Sequence, residues 1–269
     1  MNDKAVILAA GLGTRKRRDD SSGTLSDRQR AAASTGVKAL IPIDRPFLDY
    51  VLTNVADAGY HRVCLVVGPD HDALREYYEN LSGGRLTFEF AVQPKPLGTA
   101  NALAVAAEFA GDDPVLVLNS DNHYPTDALR SLRKIDGNAT VGFERGAMLA
   151  GGNIPPDRVA KFSIIEPDER GNLRRIIEKP APAIVDRLPE PILVSMNCWQ
   201  FGPAIFQACR SIEKSPRGEY EIPDAVMASI ERLDQQYRVI PSRHTVLDLS
   251  SRRDIASVTQ LLRNEEVRL

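Results

Sequence analysis

The first aliphatic run of the chain ends in Leu8-Ala9-Ala10-Gly11-Leu12-Gly13-Thr14-Arg15. Gly11 and Gly13 let backbone N–H groups approach a phosphate or a base, and Arg15 adds a fixed cation. The segment lacks the third glycine of GxGxxG, since Lys16 stands there, and it is not a GxxxxGK[ST] loop. A glycine turn after a strand is common on structural grounds alone, so the phosphate reading rests on its companions. Asp121 follows the run VLVLNS, at a strand end where a metal ligand belongs, although an Asp there taken singly is more often a turn or helix cap. Glu178-Lys179-Pro180 closes a further run with a charged pair. The four histidines, His61, His71, His123 and His244, have neither metal-ligand spacing nor a serine or cysteine elbow beside them. That removes zinc and serine hydrolase chemistry. His123, two residues beyond Asp121, is near enough to touch a site there.

These residues need a scaffold that presents loops together. Residues 5–9, 62–67, 86–92 and 115–118 are short aliphatic runs that predict strands. Helical stretches fall between or after them at 46–58, 70–80, 97–109 and 126–134, with Gly59 and Gly111 at the expected C-terminal caps. This rhythm predicts an α/β fold with a mostly parallel sheet covered on both faces. Ligands of such sheets bind beyond the carboxyl ends of the strands, which directs attention to the loops after Ala9, Val92 and Leu118. From about residue 136 the pattern changes to successive strands at 140–143, 159–166, 173–178 and 193–201. Helices at 203–212 and 222–232, a strand at 237–240 and a helix at 252–263 complete the prediction. Residues 16–36 are polar and lack apolar periodicity, which suits a functional loop or a plain surface insertion.

The composition narrows the class. The 269 residues are 43% hydrophobic and carry a net charge of −2, so bulk charge does not hold this chain to nucleic acid. No apolar run approaches the roughly 20 residues of a membrane helix, and no secretory cleavage site follows the N-terminal run. Cys64, Cys198 and Cys209 are odd in number and far apart, which predicts reduced, buried thiols in a cytoplasmic protein.

Seven segments taken in order change the weight of each. LAAGLGTR, the Lys38 of VKALIPI, QPKPLGTANAL (93–103), NSDN (119–122), IEKP (177–180), SPRGEYEIPDAV (215–226) and VLDLSSRRDI (246–255) follow the order seen in the sugar-1-phosphate nucleotidyltransferase family. Over residues 4–262 the chain resembles that family, close in pattern to glucose-1-phosphate thymidylyl- and uridylyltransferases. The resemblance implies a Rossmann-like mixed sheet flanked by helices, with a smaller β-rich sugar-binding part. A single domain over 1–269 is expected, nucleotide-binding to about residue 135 and sugar-phosphate-binding beyond. No acyltransferase extension follows, so the expected enzyme is monofunctional.

The reaction so implied has a sugar-phosphate oxygen attack the α-phosphorus of a nucleoside triphosphate while pyrophosphate leaves. Both reactants are anions, so catalysis rests on positioning and charge neutralisation. The resemblance assigns Arg15 and the loop of Leu8, Ala10, Gly11, Gly13 and Thr14 to the triphosphate, and Lys38 to the α-phosphate. The segment between them reads as a lid, with Arg17 and Arg18 as further phosphate contacts; Val37 stands where the family usually has proline. Asp121 and Asp248 are the implied ligands of Mg²⁺, although Asp248 opens Asp-Leu-Ser-Ser rather than Asp-x-Gly-Thr. Asp254 ranks lower, being in a helix. Gln93, Gly98 and Thr99 read as the base site, because a glutamine amide can pair with the O4 and N3–H edge of uracil or thymine. UTP or dTTP is therefore favoured.

Lys179 is expected on the sugar phosphate, with Glu178 and Asn197 on sugar hydroxyls. Ser163 replaces a small family residue, often glycine, and Trp199 is a candidate for sugar stacking, although a lone tryptophan in a strand is more often core. The expected route is ordered, with the triphosphate bound first. The partners are NTP and sugar 1-phosphate, without nucleic acid or membrane, and a homo-oligomer stays open. Two other readings remain: transfer to a non-sugar phosphorylated acceptor such as a phosphocholine, and a non-catalytic nucleotide-binding subunit of the same fold. The missing third glycine counts against a dehydrogenase.

Overall fold

In a computed structural model the described residues are 2–11, 38–81 and 84–269. The central strand, β1 (Lys4–Leu8), is buried on both faces: Ala5 and Ile7 pack into one hydrophobic core and Val6 into a second. A strand so placed has no polar face, and its sequence is accordingly an unbroken aliphatic run. Around it lie β2 (Arg62–Val67), β3 (Thr87–Val92) and β4 (Val115–Asn119), all parallel to it. Helices α1 (Phe47–Asp57), α2 (Asp72–Glu79), α3 (Thr99–Ala104) and α4 (Ala107–Ala110) make the crossovers.

The chain then runs through β5 (Asn122–His123), α5 (Thr126–Arg133), β6 (Asn138–Glu144), α6 (Arg145–Ala150) and α7 (Pro156–Val159). It continues with β7 (Ile164–Pro167), β8 (Leu173–Ile177), α8 (Pro182–Val185) and β9 (Leu193–Phe201). The last elements are α9 (Ala204–Ser211), α10 (Ile222–Leu233), β10 (Tyr237–Ser242), β11 (Leu247–Asp248) and α11 (Asp254–Leu262). The main sheet runs β10-β6-β9-β4-β1-β2-β3, with β7 and β8 added at one end of β9. β9 lies antiparallel to both β4 and β6. The expected mixed, mostly parallel sheet is thus present.

The elements β5, α6, α8 and β11 have no counterpart in the expectation, and two expected elements take another form. The strand expected over 159–166 is a helical turn, α7, followed by the shorter β7. Pro156 sits at the first position of that turn, where its fixed φ and missing N–H suit a helix start. The helix expected over 97–109 begins only at Thr99, because Gly98, at φ +110°, is its N-cap, and it is interrupted at Val105–Ala106 between α3 and α4. Among the described residues no helix is long and apolar enough to cross a membrane.

Candidate active site

The carboxyl ends of β1, β3 and β4 open onto one cleft of about 470 Å³, within the range of small-molecule sites. Leu8, Ala10, Gly11, Gln93, Gly98 and Thr99 all line it. Its walls are mostly backbone and small apolar side chains. Gln93 is almost fully buried at its rim, and its Nε2 donates to the Gly98 carbonyl (3.1 Å) and to Asn101 Oδ1 (2.9 Å). A Cβ on Gly98 would lie 2.3 Å from the Tyr220 carbonyl oxygen, so only glycine fits at this φ and this approach. The contact is an anchor: Tyr220 N–H donates to the Leu97 carbonyl (2.8 Å) and Ala100 N–H to the Tyr220 carbonyl (2.9 Å). The loop that carries Arg217 and Glu221 is thereby tied to the start of α3.

A second cleft, of about 530 Å³, adjoins the first and shares Thr99, Asn119 and Asp121 with it. Glu178, Lys179 and Asn197 line this one, beside Ser163, Arg217 and Asp248. Lys179 (φ +42°) and Asn197 (φ +52°) are two of the three described non-glycine residues at positive φ. Such backbone costs about 1–3 kcal/mol and is concentrated at functional sites. Asn197 owes its conformation to an irregularity in the β6–β9 pairing, where the register shifts between Thr140 and Gly142. Ser163 Oγ donates to Glu178 Oε1 (2.6 Å), which fixes that carboxylate. Arg217 forms a two-point ion pair with Glu221. No acceptor reaches the Lys179 ammonium among the described residues, and this cation lines the cleft.

Asp121 and Asp248 are 127 positions apart and meet because β5 and β11 pair antiparallel, Asn122 opposite Asp248. The Leu249 N–H donates to the Asp121 carbonyl (2.8 Å). Asp248 Oδ1 accepts from Ser250 Oγ (2.6 Å) and Asn122 Nδ2 (3.2 Å), and Oδ2 accepts from Arg158 (2.8 Å). Burial raises the Asp248 pKa, and the nearby Asp121 charge raises it further, while Ser250 and Arg158 oppose both. A divalent cation relieves that kind of like-charge crowding. Among the described residues no group of three or more His, Cys, Asp or Glu could hold a metal. Two carboxylates completed by phosphate oxygens and water are the donor set that Mg²⁺ prefers, so the residues fit this ion.

Several expectations fall elsewhere. Gly13, Thr14, Arg15, Arg17 and Arg18 lie outside the described residues, as does the side chain of Lys38, whose backbone begins a 3-10 turn at Lys38–Leu40. Trp199 is fully buried, stacked on Phe201 at 5.4 Å, so it belongs to the core and cannot stack on a sugar. His123 points away from the cleft to Asn54 (3.0 Å) and Glu265 (3.1 Å). Asp254, the first residue of the last helix, accepts from the Ser251 N–H (2.7 Å) and pairs with Arg158 (3.0 Å).

The sequence reading missed Arg158, which bridges Asp248 and Asp254. Its only local signal was the Pro155-Pro156 helix start. Arg217 lay inside a quoted motif but received no role, although an Arg-Gly-Glu turn before a helix was signal enough.

Residues 28–265 match the model of the nucleotidyl transferase family. A low-salt glycan biosynthesis nucleotidyltransferase of Haloferax volcanii is 31% identical over 234 residues, which cover 85% of this chain and 57% of that protein. The chain thus spans little more than half of that relative's length. A UTP–glucose-1-phosphate uridylyltransferase of the same organism is 26% identical, over 83% of this chain and 82% of its own. A crystal structure of UDP-glucose pyrophosphorylase complexed with UDP-glucose shares the fold, with a TM-score of 0.73 at 18% identity over 99% of this chain and all of that one. On the family match over most of its length, the chain belongs to the nucleotidyl transferase family.

Proposed function

We propose that this protein transfers a nucleotidyl group from UTP or dTTP to a sugar 1-phosphate, forming an NDP-sugar and pyrophosphate. One observation carries the reading: a cleft lined mostly by backbone and small side chains and a more highly charged cleft meet at Asp121, with Asp248 across the seam. The first suits a base and ribose, the second a phosphorylated acceptor, and their junction is where the α-phosphorus would lie. The names of the two relatives support the class of reaction.

In the step itself a bond forms between an acceptor phosphate oxygen and the α-phosphorus, and the bond from that phosphorus to the bridging oxygen of pyrophosphate breaks. Lys179 and Arg217 hold the acceptor phosphate so that its oxygen faces the seam. Glu178, oriented by Ser163, accepts from sugar hydroxyls, and Asn197 adds a polar contact. The backbone at Leu8, Ala10 and Gly11 and the start of α3 at Thr99 support the nucleotide. Arg15 and Lys38, with Gly13 and Thr14, neutralise the triphosphate on the strength of the family resemblance. Asp121 and Asp248 would hold Mg²⁺, which when bound offsets charge on the phosphates. The remaining work is alignment, which is worth several kcal/mol when two reactants are fixed in contact geometry.

The reading includes one domain over residues 1–269, a cytoplasmic location and room for a homo-oligomer. The experiment is a pyrophosphate-release screen of nucleoside triphosphates against sugar 1-phosphates, with Mg²⁺ and with EDTA. Turnover of UTP or dTTP with a sugar 1-phosphate, abolished by EDTA, is expected. Turnover only with a phosphorylated amino alcohol, or none with any acceptor, would replace this reading.

A further inference from the structure

Gln93 carries an internal device that concerns which base is accepted. A backbone carbonyl can only accept a hydrogen bond, so the Gln93 atom 3.1 Å from the Gly98 oxygen is the amide nitrogen. The second hydrogen of that nitrogen is directed to the side chain of Asn101 at 2.9 Å, which must therefore present its oxygen. Both amide donors are committed behind the cleft wall. Oε1 is left as the group of Gln93 available to a ligand, and no donor reaches it among the described residues. Asn101 does not itself line the cleft.

We infer that Asn101 is a positioning residue for base selection: it holds the Gln93 amide with its acceptor toward the base. The inference rests on the reading of Gln93 as part of the base site. It narrows that reading, because the amide then meets the N3–H of uracil or thymine and has no donor to offer O4. Cytosine presents a ring-nitrogen lone pair in the same place, so lone pair would face lone pair. With Asn101 as it stands, turning the Gln93 amide by 180° would set Oε1 against two acceptors, the Gly98 carbonyl and Asn101 Oδ1, and relieving the second takes a matching turn of the Asn101 amide. Without the Asn101 oxygen, only the Gly98 carbonyl resists that turn.

The test compares kcat/KM for UTP and CTP, with a saturating sugar 1-phosphate, in the wild type and in Asn101→Ala, Asn101→Asp and Gln93→Leu. Asn101→Ala is expected to shrink the UTP:CTP ratio about tenfold, the size of one lost orienting hydrogen bond. Asn101→Asp retains an acceptor at the same place and should keep the ratio even where overall turnover falls. A parallel loss for both nucleotides in Asn101→Ala, with the ratio unchanged, would mean a merely structural role and overturn the inference. Should that variant not fold, the near-isosteric Asn101→Leu carries the same expectation. Gln93→Leu separates the two levels. A collapsed ratio there with an intact one in the Asn101 variants sinks only the positioning role, whereas an intact ratio in Gln93→Leu sinks the base-site reading beneath it.

Discussion

The two clefts on either side of Asp121 are built by opposite means. The first consists mainly of strand ends, small residues and a helix start, with Glu219 and Asp121 as its charged side chains, and its buried amide, Gln93, is anchored from behind. The second is lined by Arg158, Lys161, Glu178, Lys179, Arg217, Glu221 and Asp248, several of them in ion pairs, and by two residues at positive φ. A base and ribose are uncharged and the base is planar, and rigid backbone complements them. A phosphorylated sugar needs charge and adaptable hydroxyl partners, which only long side chains supply. On the proposed function, selectivity belongs to the first cleft and neutralisation to the second, a division open to disruption at the seam, on either side and at the tie between them.

The largest effect is expected at the seam. Asp121→Ala should lower pyrophosphate release by on the order of a thousandfold, as loss of a key transition-state charge contact does. Its melting temperature and circular dichroism should stay near wild type. Residual turnover within tenfold of wild type would remove Asp121 from the site and leave the two clefts unconnected in function.

Next comes a one-sided disruption. Lys179→Ala should raise the KM for the sugar 1-phosphate roughly 10- to 100-fold, the range of one charge-assisted hydrogen bond, with the KM for UTP nearly unchanged. Steady-state kinetics with each substrate varied in turn decides it. An equal rise in both constants would mean that the clefts are not separate.

The smallest effect on chemistry, but a direct one on structure, is expected at the tie. Gly98→Ala drives a Cβ against the Tyr220 carbonyl at a φ that alanine resists. We expect a loss of about 2–4 kcal/mol, read as a fall of several degrees in thermal melting. Because the Tyr220 loop carries Arg217, binding of both substrates should weaken together. A stable variant with only nucleotide binding affected would show that Gly98 serves the base and not the tie.

The described part of the cleft proposed for the nucleotide was largely legible from the chain. Parallel strands at the centre of a sheet are apolar on both faces, so β1, β2 and β4 stand out as unbroken runs, and the loops beyond their carboxyl ends are where a ligand is to be sought. The acceptor side was less so. α7 was read as strand because a single helical turn has too few residues to show a period. Trp199 was offered to a sugar because a strand residue's side is set by its neighbours; β9 turns it into the core between Phe201 and Tyr237.

What the sequence determined by itself is the family order of its motifs, the aliphatic centre of the sheet and the identity of the charged residues, since these depend on residue type and short spacing. What the tertiary structure alone decided is that Asp121 and Asp248 share a cleft, that Arg158 joins Asp248 to Asp254, and that the donors of Gln93 are already taken. The reason is physical. The ribbon of β5 and β11 has two residues in each strand, too short for any local propensity to announce. A hydrogen bond between distant side chains exists only once the packed core has brought their backbones within reach.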